Sequence, residues 1–140
     1  MPEARRGWSG LEAALAAASS PLWKQRVRAG RDLASFADVP EAAQVLVGLL
    51  LDVEDTAVTR QTAAALARVG TSAAIRLLAL AVAEADDNQA DWLQTGVHDA
   101  LMGRDGQPDL AVACAKLTGD PVEAVRRCAA EISKWTQGAW

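Results

Sequence analysis

The stretch TRQTAAALARVGTSAAIRLLALAV, residues 59–82, decides the fold that the sequence predicts. Alanine and leucine, two of the strongest helix formers, fill both halves of the stretch, and Gly70 separates the halves as a turn. The stretch holds no histidine, cysteine or carboxylate. It therefore predicts a pair of short helices that serve as scaffold rather than as a site of chemistry.

Composition extends this prediction to the whole chain. The sequence has 140 residues, of which 51% are apolar, and this length is enough for one domain with its own core. Tyrosine is absent and phenylalanine occurs once, so helix formers outnumber the residues that favour strands. The longest apolar run, residues 45–51, is far short of the ~20 residues that cross a bilayer. An all-α, soluble protein is expected.

The charges and cysteines bear on the setting and on the class of partner. Arg5 and Arg6 precede an alanine-rich stretch, but Glu12 interrupts it and argues against a secretory signal. Cys114 and Cys128 lie within helical patterns and make no disulfide framework, which favours a reduced, cytoplasmic setting. A net charge of −4 disfavours a nucleic acid as partner.

The chain repeats with a period of 33 residues. Two columns of mostly small residues recur at this spacing: Gly30, Ala63, Gly96 and Ala129, and Ala34, Ala67, Ala100 and Ser133. A column of large apolar residues does the same: Phe36, Val69, Met102 and Trp135. Small residues at fixed positions let neighbouring helices approach closely, as they do in stacked helix pairs.

Each repeat is predicted to hold a first helix, A, and a second helix, B. The A helices are expected at 21–36, 55–69, 89–103 and 120–136, and the B helices at 40–51, 72–85 and 108–118. Ser20 before Pro21, and Asp120 before Pro121, are typical helix starts, and Ser9 with Glu12 predicts a leading helix at 9–19. The single domain then divides into a cap at 1–20, repeats at 21–53, 54–88 and 89–119, and a half repeat at 120–140.

The residues Arg60–Ala81 resemble a HEAT repeat of the short bacterial type. They show an arginine, paired alanines with a leucine, a glycine turn, and Ala-Ile-x-x-Leu at the start of the second helix. Pro121–Ile132 is similar to the first half of another such repeat. The resemblance implies a right-handed α-solenoid of about three and a half helix pairs with an N-terminal capping helix. It also implies that the B helices line a concave surface.

Residues capable of catalysis are few. His98 and Asp99 are neighbours on one predicted helix and point about 100° apart, so they do not converge on a substrate. We expect Val97 and Leu101 to be buried there and Asp99 to face solvent; a buried Asp99 would need a partner such as Arg68. The two cysteines have no companion ligands for zinc. The sequence predicts no enzyme, no cofactor and no metal.

The B helices carry the predicted binding surface, named here the B-helix face. Its columns place an apolar centre inside a charged rim, which is the anatomy of a protein-binding patch. The face is expected to comprise Gln44, Val47, Leu51, Arg76, Leu80, Glu84, Asp109, Ala113 and Lys116. The leading functional prediction is a non-catalytic module that binds another protein there; the alternative is that the leading helix or a second copy covers the face.

Carboxylates gather in the turns from each B helix to the next A helix. We name this set the acidic edge: Asp52, Glu54, Asp55, Asp86, Asp87 and Asp91. These residues either cap helix N-termini or form a rim that meets a basic partner. The second reading predicts an immunity or antitoxin protein that neutralises a basic toxin. HEAT-like DNA glycosylases and chromophore lyases are remoter alternatives, since neither a cationic concave face nor a cysteine-rich or aromatic pocket is visible.

Arginines and tryptophans complete the candidate surface residues. Lys24, Arg26, Arg28 and Arg31 form a local basic patch, and Arg60 and Arg126 share a column from which they could pair with turn carboxylates. Of the five tryptophans, Trp135 is expected in the core. Trp8 and Trp92 either cover an end or an edge or stand exposed as anchors for a partner, and Trp140 has no assigned place. The sequence identifies neither the partner nor the oligomeric state, and a monomer is possible.

Overall fold

A computed structural model describes residues 8–103 and 110–136 and folds them into helices without a strand. The eight α-helices of this part of the chain are α1 Trp8–Ala17, α2 Trp23–Leu33, α3 Pro40–Leu50, α4 Thr56–Val69, α5 Ser72–Glu84, α6 Asp87–Leu101, α7 Leu110–Lys116 and α8 Glu123–Trp135. Short 3₁₀ turns, Ala34–Phe36 and Leu117–Gly119, follow α2 and α7. The predicted all-α class is confirmed. None of the described helices combines the length and the apolar content needed to span a bilayer.

The helix boundaries follow from local chemistry. Asp55 caps α4 by accepting a hydrogen bond from the Ala57 amide, and Gly70 ends that helix in the left-handed conformation, with φ of 69°. Thr71 then caps α5 through the Ala74 amide at 3.2 Å. Pro40 occupies the first turn of α3, where its missing N–H leaves no hydrogen bond unmade. The stretch quoted above is therefore a helix pair joined by a tight glycine turn.

Several of the predicted helix starts differ in detail. The described part of α1 includes Trp8, so Ser9 lies inside the helix and does not precede it. α6 begins at Asp87, two residues earlier than expected, because Asp86 and Gln89 form a reciprocal capping box. The two starts marked by Pro21 and Pro121 lie later than predicted: α2 begins at Trp23 and α8 at Glu123, and the residues before them, Leu22 and Val122, make no side-chain capping hydrogen bond. Ser20 and Asp120 instead accept from the Leu22 and Val122 amides within the preceding turns.

The helices α2, α4 and α6 pack side by side, with α4 in the middle. A side chain at Gly96 would collide with the α4 backbone at the carbonyl oxygen of Arg60, and one at Gly30 would collide with Thr62. The predicted column of small residues is therefore the line of closest approach between these helices. All four of its members are buried: Gly30, Ala63, Gly96 and Ala129.

The column of large apolar residues behaves differently. Trp135 is buried as expected, and Phe36 is partly buried. Val69 is 36% exposed and Met102 is 67% exposed, so this column is not a core column throughout. These two residues stand at the C-terminal ends of α4 and α6, where the chain leaves the helix packing for a turn.

The core lies between the α2–α4–α6 row and the helices α3 and α5. Its fully buried large side chains include Leu46, Leu66, Ile75, Leu78, Leu93 and Ile132. α3 packs against α5, and both contact α4. The last helix, α8, packs mainly against α5 and only slightly against α6. The A-to-A stacking that the repeat predicts therefore weakens at the end of the chain.

Candidate functional site

The centre of the B-helix face lies on α3 and α5. Val47 on α3, Leu51 directly after α3 and Leu80 on α5 are partly buried and rest on the core while keeping part of their surface in contact with solvent. Ala73 and Ala83 on α5 are partly exposed as well. The outward side of α5 is therefore apolar along most of its length.

The rim of the B-helix face agrees with the prediction at three positions. Gln44, Glu84 and Lys116 are exposed. Arg76 is only partly exposed, because its Nε donates to Oδ2 of Asp120 at 2.7 Å across to the start of α8. That rim charge is compensated within the protein.

One predicted member of the face is wrong, and one lies outside the described residues. Ala113 is 3% exposed, so it belongs to the core and not to the solvent side. The described part of α7, Leu110–Lys116, turns Leu110, Ala113 and Cys114 inward. Asp109 falls in the gap of the described chain, as Trp140 does at its end. The Trp8 side chain likewise lies outside the described part of the structure.

Three of the six carboxylates of the acidic edge form contacts that stabilise turns and helix ends. Asp52 is bound by Arg26 at 3.0 Å and also accepts hydrogen bonds from the amides of Glu54 and Asp55. Asp55 and Asp86 are the N-caps of α4 and α6. Asp55 and Asp86 are therefore helix-capping groups, which was one of the two readings of the edge, while Asp52 stabilises the turn before α4.

The other three carboxylates of the edge are exposed and are not N-caps of the described helices. Asp87 and Asp91 are exposed and carry no ion pair within the described part of the chain. Glu54 is 72% exposed and touches Arg26 at 3.4 Å. Val53, beside Glu54, is 90% exposed and forms an apolar tip on the turn. A cleft of about 160 Å³ lies between this turn and the start of α6.

A further concave site, which sequence reasoning missed, lies on the other set of helices. We name it the A-helix groove, a cavity of about 550 Å³ that spans α2, α4 and α6. Ala57 and Ala64 of α4 stand between its walls. The polar and aromatic groups that line it include Arg31, Arg60, Gln61, Arg68, Trp92 and Asp99.

Arg60 and Asp99 form the best-defined contact of the A-helix groove. Nε and Nη2 of Arg60 donate to the two oxygens of Asp99 at 2.6 and 3.0 Å. This bidentate pair raises the pKa of Arg60 above its ordinary value. The guanidinium also lies 5.9 Å from the ring centre of Trp92.

Two sequence expectations are corrected by this contact. Val97 and Leu101 are buried and Asp99 is partly exposed, as predicted, but its partner is Arg60 and not Arg68. Arg60 therefore does not pair with a turn carboxylate. Arg126, in the same column, does reach a turn, where it donates to the Asp120 carbonyl oxygen at 2.6 Å.

The residues that line the A-helix groove can be read in the sequence, but they come from three different helices. Arg60 and Arg68 are eight residues apart, so they share one face of α4, with small alanines between them. Arg31 comes from the predicted basic patch, of which Arg26 is not a surface member, since it is 6% exposed. Recognising the site required knowing that α2 and α6 flank α4 on this side.

The two cysteines are not arranged for reactivity or for metal binding within the described residues. Cys114 and Cys128 are buried, and burial raises the pKa of both thiols, so they remain protonated at neutral pH. Within residues 8–103 and 110–136, no three His, Cys, Asp or Glu side chains gather closely enough to hold a metal ion. Comparison of the chain with protein-family models, with curated proteins and with solved structures found no match in any of the three.

Proposed function

We propose that the protein is a non-catalytic binding module that holds a partner protein on its B-helix face. The observation that carries this proposal is the apolar outward side of α5 and its neighbour α3. Val47, Leu51 and Leu80 remain partly exposed there. Gln44, Glu84 and Lys116 stand exposed on the same helices and on α7.

Covering the B-helix face with a partner is favourable because it removes apolar surface from water. Apolar surface that leaves water contributes about 25 cal/mol per Å², so completing the burial of a partly exposed leucine contributes about 1 kcal/mol. Three partly exposed apolar side chains at the centre of the face, with polar residues around them, suit an energetic centre for binding. Arg76 is held by Asp120 and is therefore positioned before any partner arrives.

The proposal includes a HEAT-like helix-pair architecture, with α2 and α3, α4 and α5, and α6 and α7 as the pairs. Support comes from α4 packing between α2 and α6 while α5 packs against α3 and α7. The buried small residues at the 33-residue spacing add to it. The placement of α8 against α5 is the point at which a regular array would differ.

The first test is an affinity pull-down from native lysate with wild type and Leu80→Glu. Burying a new carboxylate at the centre of an interface costs several kcal/mol, so the variant is expected to lose the partner. Met102→Glu is the matched control, because it places the same charge on an exposed apolar residue at the end of α6. Circular dichroism shows whether both variants are folded. A partner retained by Leu80→Glu contradicts the proposed face.

The second candidate function is neutralisation of a basic toxin through the acidic edge. It is favoured by the exposed Val53 tip beside Glu54 and by the exposed carboxylates Asp87 and Asp91. Because Asp52, Asp55 and Asp86 hold the fold, the informative variant in the same pull-down combines Glu54→Gln, Asp87→Asn and Asp91→Asn. Loss of a basic partner by this variant, with retention by Leu80→Glu, would favour the second candidate over the first.

A further inference from the structure

The A-helix groove concentrates uncompensated positive charge in a chain whose net charge is −4. Three of its four charged side chains are arginines, and the fourth, Asp99, is occupied by Arg60. Arg31 and Arg68 are exposed and have no acidic partner among the described residues. Two free guanidinium groups therefore face one cavity.

The groove is also shaped for a chain segment that is partly apolar. Ala57 and Ala64 are too short to fill the space between α2 and α6, and Trp92 adds an aromatic wall. The contact with Arg60 orients the Trp92 ring, and the pair with Asp99 orients Arg60. An aliphatic or aromatic side chain can lie on this surface while anionic groups reach Arg31 and Arg68.

We infer that the A-helix groove binds an acidic, partly apolar segment of a partner protein through the carboxylates of that segment. Guanidinium groups bind carboxylates with two parallel hydrogen bonds, a geometry that fixes the orientation of the bound segment. This site is separate from the B-helix face, because it lies on α2, α4 and α6 and shares no residue with that face. It does not depend on the proposed function.

The distribution of charge favours discrete carboxylates over a nucleic-acid backbone. Asp99 lines the groove, and Asp87 and Asp91 are exposed on α6, the helix that forms one of its walls. A continuous row of phosphates would have to pass these carboxylates, whereas a peptide can place its charges only where the arginines stand. The overall charge of −4 opposes long-range attraction of a polyanion in the same way.

The test uses the full chain and a fluorescein-labelled hexapeptide of glutamate and leucine, with binding followed by fluorescence anisotropy at low salt. Arg31→Gln combined with Arg68→Gln removes both free arginines of the groove. Loss of two charge-assisted contacts is expected to weaken binding by about tenfold or more. The matched control combines Arg127→Gln with Lys134→Gln, two exposed residues of α8, and is expected to change binding by less than about twofold.

Each further outcome bears on the inference. Equal weakening by the groove variant and the α8 control, or no binding by wild type, would overturn it. A phosphoserine peptide that binds far more tightly than the glutamate peptide would overturn the choice of carboxylate, and efficient competition by duplex DNA would overturn the choice of peptide. Leu80→Glu is expected to bind the peptide as wild type does, so failure of the B-helix proposal remains distinguishable. Circular dichroism of every variant shows whether the fold is kept.

Discussion

Two arginines form ion pairs with carboxylates in turns that are distant from them in sequence. Arg26 on α2 reaches Asp52 beyond the end of α3, and it also donates to the Ser20 carbonyl oxygen at 3.0 Å. Arg76 on α5 holds Asp120 at the start of α8 in the same way. In both cases the carboxylate also accepts backbone N–H groups of its own turn. A single side chain thus joins the turn that precedes a helix to another helix distant in sequence.

The Arg76 contact predicts a dependence of stability on pH. The hydrogen bond from Arg76, helped by the Val122 amide, lowers the pKa of Asp120 below its ordinary value of 3.8. The unfolded chain therefore binds this proton more readily than the folded chain does. The resulting stabilisation is fully present above about pH 5 and is lost as the pH falls through the lowered pKa. We expect the difference in melting temperature between wild type and Asp120→Asn to shrink from pH 6 to pH 3.

The control for this prediction is Asp32→Asn, which removes an exposed carboxylate of α2 that has no ion pair within the described residues. Its melting temperature is expected to stay parallel to that of wild type over the same range. A constant difference between wild type and Asp120→Asn would show that the ion pair contributes nothing that depends on ionisation.

At the scale of the helices, local sequence signals predicted where the helices lie better than they predicted which residues pack against one another. The ends of α4 and α5 followed from the Gly70 turn between two runs of helix formers. The burial of Ala113 did not follow, because it depends on how the short α7 is turned against α5 and α8. The apolar centre of the B-helix face could be predicted from one helix at a time. The A-helix groove could not, since its arginines come from two helices and its aromatic wall from a third.

The close approach of α4 and α6 at Gly96 gives a prediction at the same scale. In Gly96→Ala the new methyl group would meet the Arg60 carbonyl oxygen and lie 2.7 Å from the Ala63 Cβ, and backbone cannot move aside cheaply. Overpacking of this kind costs about 1–3 kcal/mol. We expect a loss of stability of that size in urea unfolding, although alanine is the better helix former.

Gly48 on α3 supplies the matched control. A Cβ there meets nothing within 4 Å, so Gly48→Ala changes helix propensity without crowding a neighbour. It is expected to stabilise the protein by up to about 1 kcal/mol. If both substitutions stabilised the protein, the helices α4 and α6 would not be in the close contact described.

At the scale of the whole molecule, α5 is the helix that contacts most of the other described helices. It contacts α3, α4, α6, α7 and α8, and none of its residues before Glu84 is freely exposed. The two outermost described helices are attached unequally. α8 packs on α5, α6 and α7, whereas the main contact of α1 is α2 alone. Stability is therefore expected to be unevenly distributed along the chain.

Native-state hydrogen exchange tests this unevenness. Opening α1 exposes chiefly Leu11 and Ala14, so its amides are expected to exchange with a free energy well below that of global unfolding. Opening α8 would uncover Ile132, Val125 and the face of α5 beneath them, and its central amides are expected to exchange only with global unfolding.

Ile132→Ala is accordingly expected to lower global stability by about 2–5 kcal/mol and to accelerate exchange throughout the protein. Leu11→Ala is expected to accelerate exchange in α1 alone. Equal protection of the two helices would contradict this prediction, because it would show that the contacts of α8 with α5 do not join α8 to the core more firmly than α1 is joined.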